Sequence, residues 1–190
     1  MNTTLLILIA ALVILSLIFI SIYNGLIRRR NEVDNAFGGM DVQLKKRYDL
    51  IPNLVASVKE YAQHEKELLS KLTALRASAL KPDLSVDEKI SLDNQISGAI
   101  KNMLISVENY PELKANENFI FLQRSLNEVE SQISAARRTF NAVVTDYNNG
   151  IQVFPNSIVA GMMGMKRKEV FVISEAEREN VDVSKMFKQG

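Results

Sequence analysis

The 190-residue chain has no cysteine, no tryptophan and one histidine, with only four prolines and eight glycines. Without cysteine there is no disulfide framework, no thiol nucleophile and no thiolate zinc cage. That absence is compatible with a reducing compartment. A single histidine excludes the carboxylate-bridged metal sites of helical bundles, which take a Glu-x-x-His from each of two helices. His64, between Gln63 and Glu65, reads as an exposed or half-buried helix residue. No Gly-x-x-x-x-Gly-Lys phosphate loop and no Gly-x-Gly-x-x-Gly turn occurs, and the serines lack a His and acid setting. The chain therefore reads as a non-enzyme with no cofactor and no metal. Its 23 basic and 22 acidic residues nearly cancel, which gives no basic face for nucleic acid. Few prolines and glycines among many Leu, Ile, Ala, Glu, Lys and Asn favour helices over sheets.

What the chain has is a long apolar start. From Leu5 to Ile22 only Ser16 and Ser21 are polar, and no charge appears before Arg28. About 20 apolar residues in a helix span the roughly 30 Å hydrocarbon core of a bilayer, and in lipid a lone segment satisfies its backbone only as a helix. A cleaved signal peptide would want a basic start, a shorter apolar core and a small-x-small cleavage site. Met1-Asn2-Thr3-Thr4 and Tyr23-Asn24-Gly25-Leu26 supply none of these. Residues 1–27 read as an uncleaved transmembrane anchor. Arg28, Arg29, Arg30, Lys45, Lys46 and Arg47 all follow the span and none precedes it. Basic flanks stay cytoplasmic, so the N-terminus is expected outside and the rest in the cytoplasm. Arg28, Arg29 and Arg30 read as the topology anchor, with contact to anionic headgroups adding about 1 kcal/mol per charge. Lys45-Lys46-Arg47 reads as a solvated helix face.

The remainder, residues 28–165, reads as an antiparallel bundle of long amphipathic helices, and the fold class as all-α. A second helix is expected from about Leu26 to Leu80. Phe37, Met40, Leu44, Tyr48, Ile51, Val55, Val58 and Ala62 form its stripe, and Leu69 and Leu72 resume it. Pro52 kinks this helix without breaking it, because the stripe keeps its phase. Ser85 and Glu88 form a capping box that opens a third helix, and Asn109-Tyr110-Pro111 ends it. Glu112 to Glu117 reads as a turn or short helical step. The clearest signal is a fourth helix, from about Asn118 to Asn149. Its seam is Phe119, Leu122, Leu126, Val129, Ile133, Ala136, Phe140, Val143 and Tyr147, in strict 3,4 alternation. Gly150 is expected to end it in a left-handed turn. An aspartate at Val129 should unfold the bundle. The short links between helices favour one antiparallel bundle over an intermolecular coiled coil.

Beyond the seam, Ser157 to Met165 is apolar and is followed by Lys166-Arg167-Lys168. Met162, Met163 and Met165 form a lipid contact, a soft partner groove or a cover for the bundle end. Three passes of the chain would leave them far from its own membrane, so packing on the bundle or another subunit is favoured. Lys168 to Ile173 reads as extended, and residues 166–190 as a charged tail.

Several stretches together resemble the LemA family of bacterial membrane proteins. They are Tyr23-Asn24-x-Leu26, Arg30-Asn31-x-Val33, the run from Asp41 to Val55, Tyr61-Ala62-x-His64-Glu65-Lys66-Glu67, the run from Glu108 to Phe119, Ala136-Arg137-Arg138 and Phe154-Pro155-Asn156. Phe37 departs from the family's usual tryptophan, and Gly38-Gly39 is glycine-richer than its pattern. The resemblance implies a single span in the bacterial inner membrane, an outside N-terminus, a long-helix bundle and no established enzymatic activity. Asn53, Asn109, Asn116, Asn118 and Asn141 flank kinks, turns or the seam. They are expected to cap helices and tie loops. The alternative is a recognition surface over Pro52, Asn53, Asn109, Tyr110 and Pro111. The expected function is a self-associating scaffold whose partners are the bilayer and itself. The alternative is an adaptor or regulator of a membrane protease or other envelope enzyme, with that membrane protein as its partner.

Overall fold

A computed structural model describes residues 2–62 and 64–171, so the tail from Ser174 to Gly190 lies outside the described residues. Among the described residues there are six helices and no strand: α1 (Thr3–Tyr61), α2 (Lys66–Ala79), α3 (Val86–Val107), α4 (Pro111–Lys114), α5 (Glu117–Gln152) and α6 (Asn156–Met162). The all-α expectation holds. α1 has 59 residues and runs without interruption from the apolar N-terminal segment through Gly38-Gly39 and Pro52. At 1.5 Å per residue it is roughly 90 Å long. Its first third is long and apolar enough to cross a membrane, and is not buried within the protein.

The helix expected to reach Leu80 stops at Tyr61, and the chain reverses over Ala62–Glu65. The break falls where residues 63–67 supply no apolar side chain to continue the stripe. By folding back, α2 buries Leu69 and Leu72 against the face of α1 that carries Leu54, Val58 and Ala62. Each large side chain so buried is worth about 1.5–3 kcal/mol, more than the few helical hydrogen bonds given up at the turn. The reversal adds a pass to the bundle. α2 runs back toward the membrane, where Arg76 reaches Tyr48. α3 runs out beside α1, with Lys89 at Asp41. α5 returns along α1, from Asn116 at Tyr61 to Asp146 at Arg29. The order is up-down-up-down.

This corrects the expected position of residue 151 onward. An odd number of passes would have ended far from the bilayer. With four, α5 descends roughly 54 Å over its 36 residues and delivers α6 to the membrane end of the bundle, packed on both α1 and α5.

Local signals explain the helix ends. Ser85 and Glu88 form the capping box of α3, with Glu88 N–H donating to Ser85 Oγ at 3.2 Å and Ser85 N–H to Glu88 Oε2 at 2.8 Å. Asn116 Oδ1 accepts from the N–H groups of Asn118 and Phe119 and caps α5. Pro52 has no N–H for the carbonyl of Tyr48, four residues back. Arg76 Nε of α2 donates to that carbonyl at 2.8 Å instead.

Two details of the fourth helix differ from expectation. Gly150 is helical, α5 continues to Gln152, and the glycine with positive φ is Gly164 (φ 63°). Gly150 lets the Arg29 side chain approach closely, since a Cβ there would lie 2.7 Å from Arg29 Cδ. The seam also drifts. Phe119, Leu122, Leu126, Ile133 and Phe140 are buried, but Val129, Ala136 and Val143 are only half-buried, and Arg137 and Val144 are buried in the lower half. A helix of 3.6 residues per turn rotates about 20° per heptad against a strict 3.5 repeat. Aspartate at Val129 would reach solvent, whereas at fully buried Ile133 it would be trapped.

Candidate functional site

Charge is buried at mid-height of the bundle. Arg47 (α1), Asp93 (α3) and Arg137 (α5) occupy seam positions on three helices, with Arg47 1% and Asp93 0% exposed. Arg47 Nη2 donates to the carboxylate of Asp93 and, at 3.3 Å, to its carbonyl. Its Nη1 donates to Ser97 Oγ at 2.7 Å and to Glu130 Oε2 at 2.9 Å. Arg137 Nη2 donates to the other oxygen of Asp93 and its guanidinium lies 5.1 Å from the centre of the Phe171 ring. Burial lowers the pKa of Arg47, and the Glu130 carboxylate opposes that shift. Two cations thus share one buried and one half-exposed carboxylate. The arrangement fixes the mutual register of α1, α3 and α5, because only one alignment brings all three charges together. A groove of about 440 Å³ opens beside it, lined in part by Ser97, Ile100, Leu104, Leu126 and Glu130.

Arg47 was expected on a solvated face with Lys45 and Lys46; those two are exposed, but Arg47 is not. The signal was its spacing, three residues after Leu44 and four before Ile51, which is seam rhythm. Arg137 falls likewise between Ile133 and Phe140.

Two asparagines seven residues apart on α5 hold the segment after α6. Asn148 donates to the carbonyl of Lys168 (2.9 Å) and accepts its N–H (2.9 Å). Asn141 pairs in the same way with Phe171, at 2.8 and 2.7 Å. Tyr147 Oη donates to the carbonyl of Lys166 at 3.0 Å, and Lys168 Nζ reaches Asp34 at 2.8 Å. Burial raises the pKa of Tyr147. Residues 166–171, assigned above to a charged tail, are therefore a strap bound along α5. Phe171 closes an aromatic row, edge to face, with Phe140 at 6.1 Å and Phe37 at 5.9 Å beyond it.

The candidate interaction residues do not converge. Pro52 and Asn53 are exposed at mid-bundle. Asn109 and Pro111 are exposed and Tyr110 half-buried at the distal end, where Tyr110 Oη donates to Glu65 Oε1 at 3.5 Å. Met162 is exposed, and Met163 and Met165 half-buried, at the membrane end. Of the three basic residues after the span, Arg28 and Arg30 are exposed, while Arg29 lies across α5 and pairs with Asp146. Among the described residues no three His, Asp or Glu side chains gather into a metal-holding group.

The model of the LemA family matches residues 36–184. Protein LemA of Metamycoplasma hominis is 28% identical over 169 residues, covering 89% of this chain and 77% of that protein. Magnetosome protein MamQ of Magnetospirillum gryphiswaldense is 24% identical over 174 residues, covering 78% of this chain and 64% of that protein. Magnetosome protein MamQ 2 of Paramagnetospirillum magneticum is 22% identical with the same coverage. The chain thus spans a little under two thirds of the length of the magnetosome proteins it matches. With its apolar N-terminal helix and its long-helix bundle, this membrane-associated chain belongs to the LemA family.

Proposed function

We propose that the chain is a non-enzymatic, membrane-anchored helical scaffold that assembles with copies of itself. Its N-terminus lies outside, and its bundle in the cytoplasm beneath the bacterial inner membrane. The observation that carries this reading is the continuity of α1 from the apolar segment to the distal turn. A bundle built on the same helix that crosses the bilayer has no linker to swing on, so neighbouring copies meet at fixed height and angle. Exposed Val42 and Ile105 give the bundle apolar points of contact between copies. The basic residues that follow the span support the orientation.

The test is the mass and shape of the full-length protein in a membrane mimic, by single-particle imaging. A closed multimer supports the scaffold. A lone rod refutes it and leaves an adaptor for another envelope protein, which crosslinking in native membranes would then identify. Reporters fused to each terminus test the orientation.

A further inference from the structure

The last helix carries an apolar face that the bundle does not use. On α6 and the residue pair before it, Val159 and Ala160 turn inward and are buried. Phe154, Ile158 and Met162, four residues apart, turn outward and are 81%, 58% and 73% exposed. Ile158 and Met162 lie along one side of the helix, and Phe154 stands exposed in the turn just before it. Burying large apolar groups drives folding, so three of them left in water on and just before a seven-residue helix call for a covering surface.

The position of the row identifies that surface. α5 reaches the level of Arg29 at Asp146 and Gly150, and the chain then continues toward the span. Leu26 is buried and Ile22 packs on the core, at the cytoplasmic end of the apolar run of α1. The row is thus level with the place where α1 changes from apolar to basic. The chemistry agrees. No charged residue occurs from Tyr147 to Met165. Exposed Arg28 and Arg30 on α1, and Lys166 and Arg167 after the stretch, are basic, and Asp146 just before it is paired with Arg29. An apolar face with a cationic border at the end of a membrane span matches the boundary between acyl chains and anionic headgroups.

We infer that Phe154, Ile158 and Met162 lie in the interfacial layer of the same bilayer that α1 crosses, as a second membrane contact of this chain. With two contacts, the span and α6, the bundle is held against rotation about α1 and cannot tilt freely. This inference is independent of self-association, and a monomer would dock in the same way.

The chain has no tryptophan, so single substitutions give a clean depth probe. The full-length variants F154W and M162W, and the control F121W, are reconstituted in vesicles of phosphatidylethanolamine and phosphatidylglycerol. Phe121 is 72% exposed on the distal part of α5. At positions 154 and 162 we expect emission shifted to the blue, several-fold less quenching by iodide than at 121, and strong quenching by brominated acyl chains. Iodide quenching equal to that of F121W would mean the row is open to water and would overturn the inference. Shielding from iodide without quenching by brominated lipid would overturn it too, since protein would then be the cover. Two probe positions guard against one substitution disturbing α6.

Discussion

Pro52 and Arg76 are far apart in sequence, yet the structure makes them one unit. Proline at position 52 leaves the Tyr48 carbonyl without its helical donor, and Arg76 Nε supplies one at 2.8 Å from α2. A hydrogen bond from a charged donor contributes about 1.5–3 kcal/mol, and an unpaired carbonyl at a partly buried site costs about 1–3 kcal/mol. Arg76→Met keeps most of the apolar stem and removes the donor, so it should destabilise the bundle by roughly 1.5–3 kcal/mol. In a Pro52→Ala background the new backbone N–H serves Tyr48, and the same change should cost under about 1 kcal/mol. The difference is the coupling energy of a double-mutant cycle. It is measured on the four full-length proteins in one detergent, by denaturant unfolding followed with circular dichroism. Equal cost of Arg76→Met in both backgrounds would refute the reasoning, because Arg76 would then be acting through packing alone.

Other outcomes follow from the same geometry. Asp93→Asn leaves Arg47 and Arg137 facing each other across a neutral amide, and should cost about 3–5 kcal/mol, seen as a fall in Tm of roughly 6–20 °C. Breaking the exposed Lys114–Glu108 pair, by contrast, should cost under about 1 kcal/mol and fade with salt. Gly150→Ala gains helix propensity but displaces Arg29 from Asp146. Thermal melts should show little net change in the parent, and a gain of about 0.5–1 kcal/mol once Arg29→Ala has cleared the space. Ser85 holds the Glu88 carboxyl below its ordinary value of 4.5 by two hydrogen bonds. A lowered folded value means that the stabilisation is full above pH 4.5 and disappears as pH falls through the folded value. The protection of the amides at the start of α3, measured against their intrinsic exchange rate at each pH, should therefore fall in acid, and Glu88→Gln should abolish that step.

Much of the local structure was written in local sequence. The apolar run from Leu5 to Ile22 specifies a helix that can span a bilayer, because neither charge nor turn residue interrupts it. Ser85 with Glu88, and Pro111 after Tyr110, fix the ends of α3 through atoms a few residues apart. The heptad rhythm from Phe119 to Tyr147 specifies one long helix with one apolar side. These are short-range constraints, satisfied within a turn or two of backbone.

What only the tertiary structure decided was the number of passes and the fate of three charges. No glycine or proline marks the reversal at Ala62–Glu65. It forms because α2 buries more apolar surface folded back on α1 than it could extended into solvent. That one reversal carries α6 to the membrane end. Arg47 looked like a surface residue until α3 brought Asp93 between it and Arg137, since a buried cation is tolerable only with its counter-charge in place. In the same way, Asn141 and Asn148 bind a strap that arrives only after the chain has turned through α6. Each of these features depends on groups distant in sequence meeting in space, which periodicity along a single helix does not encode.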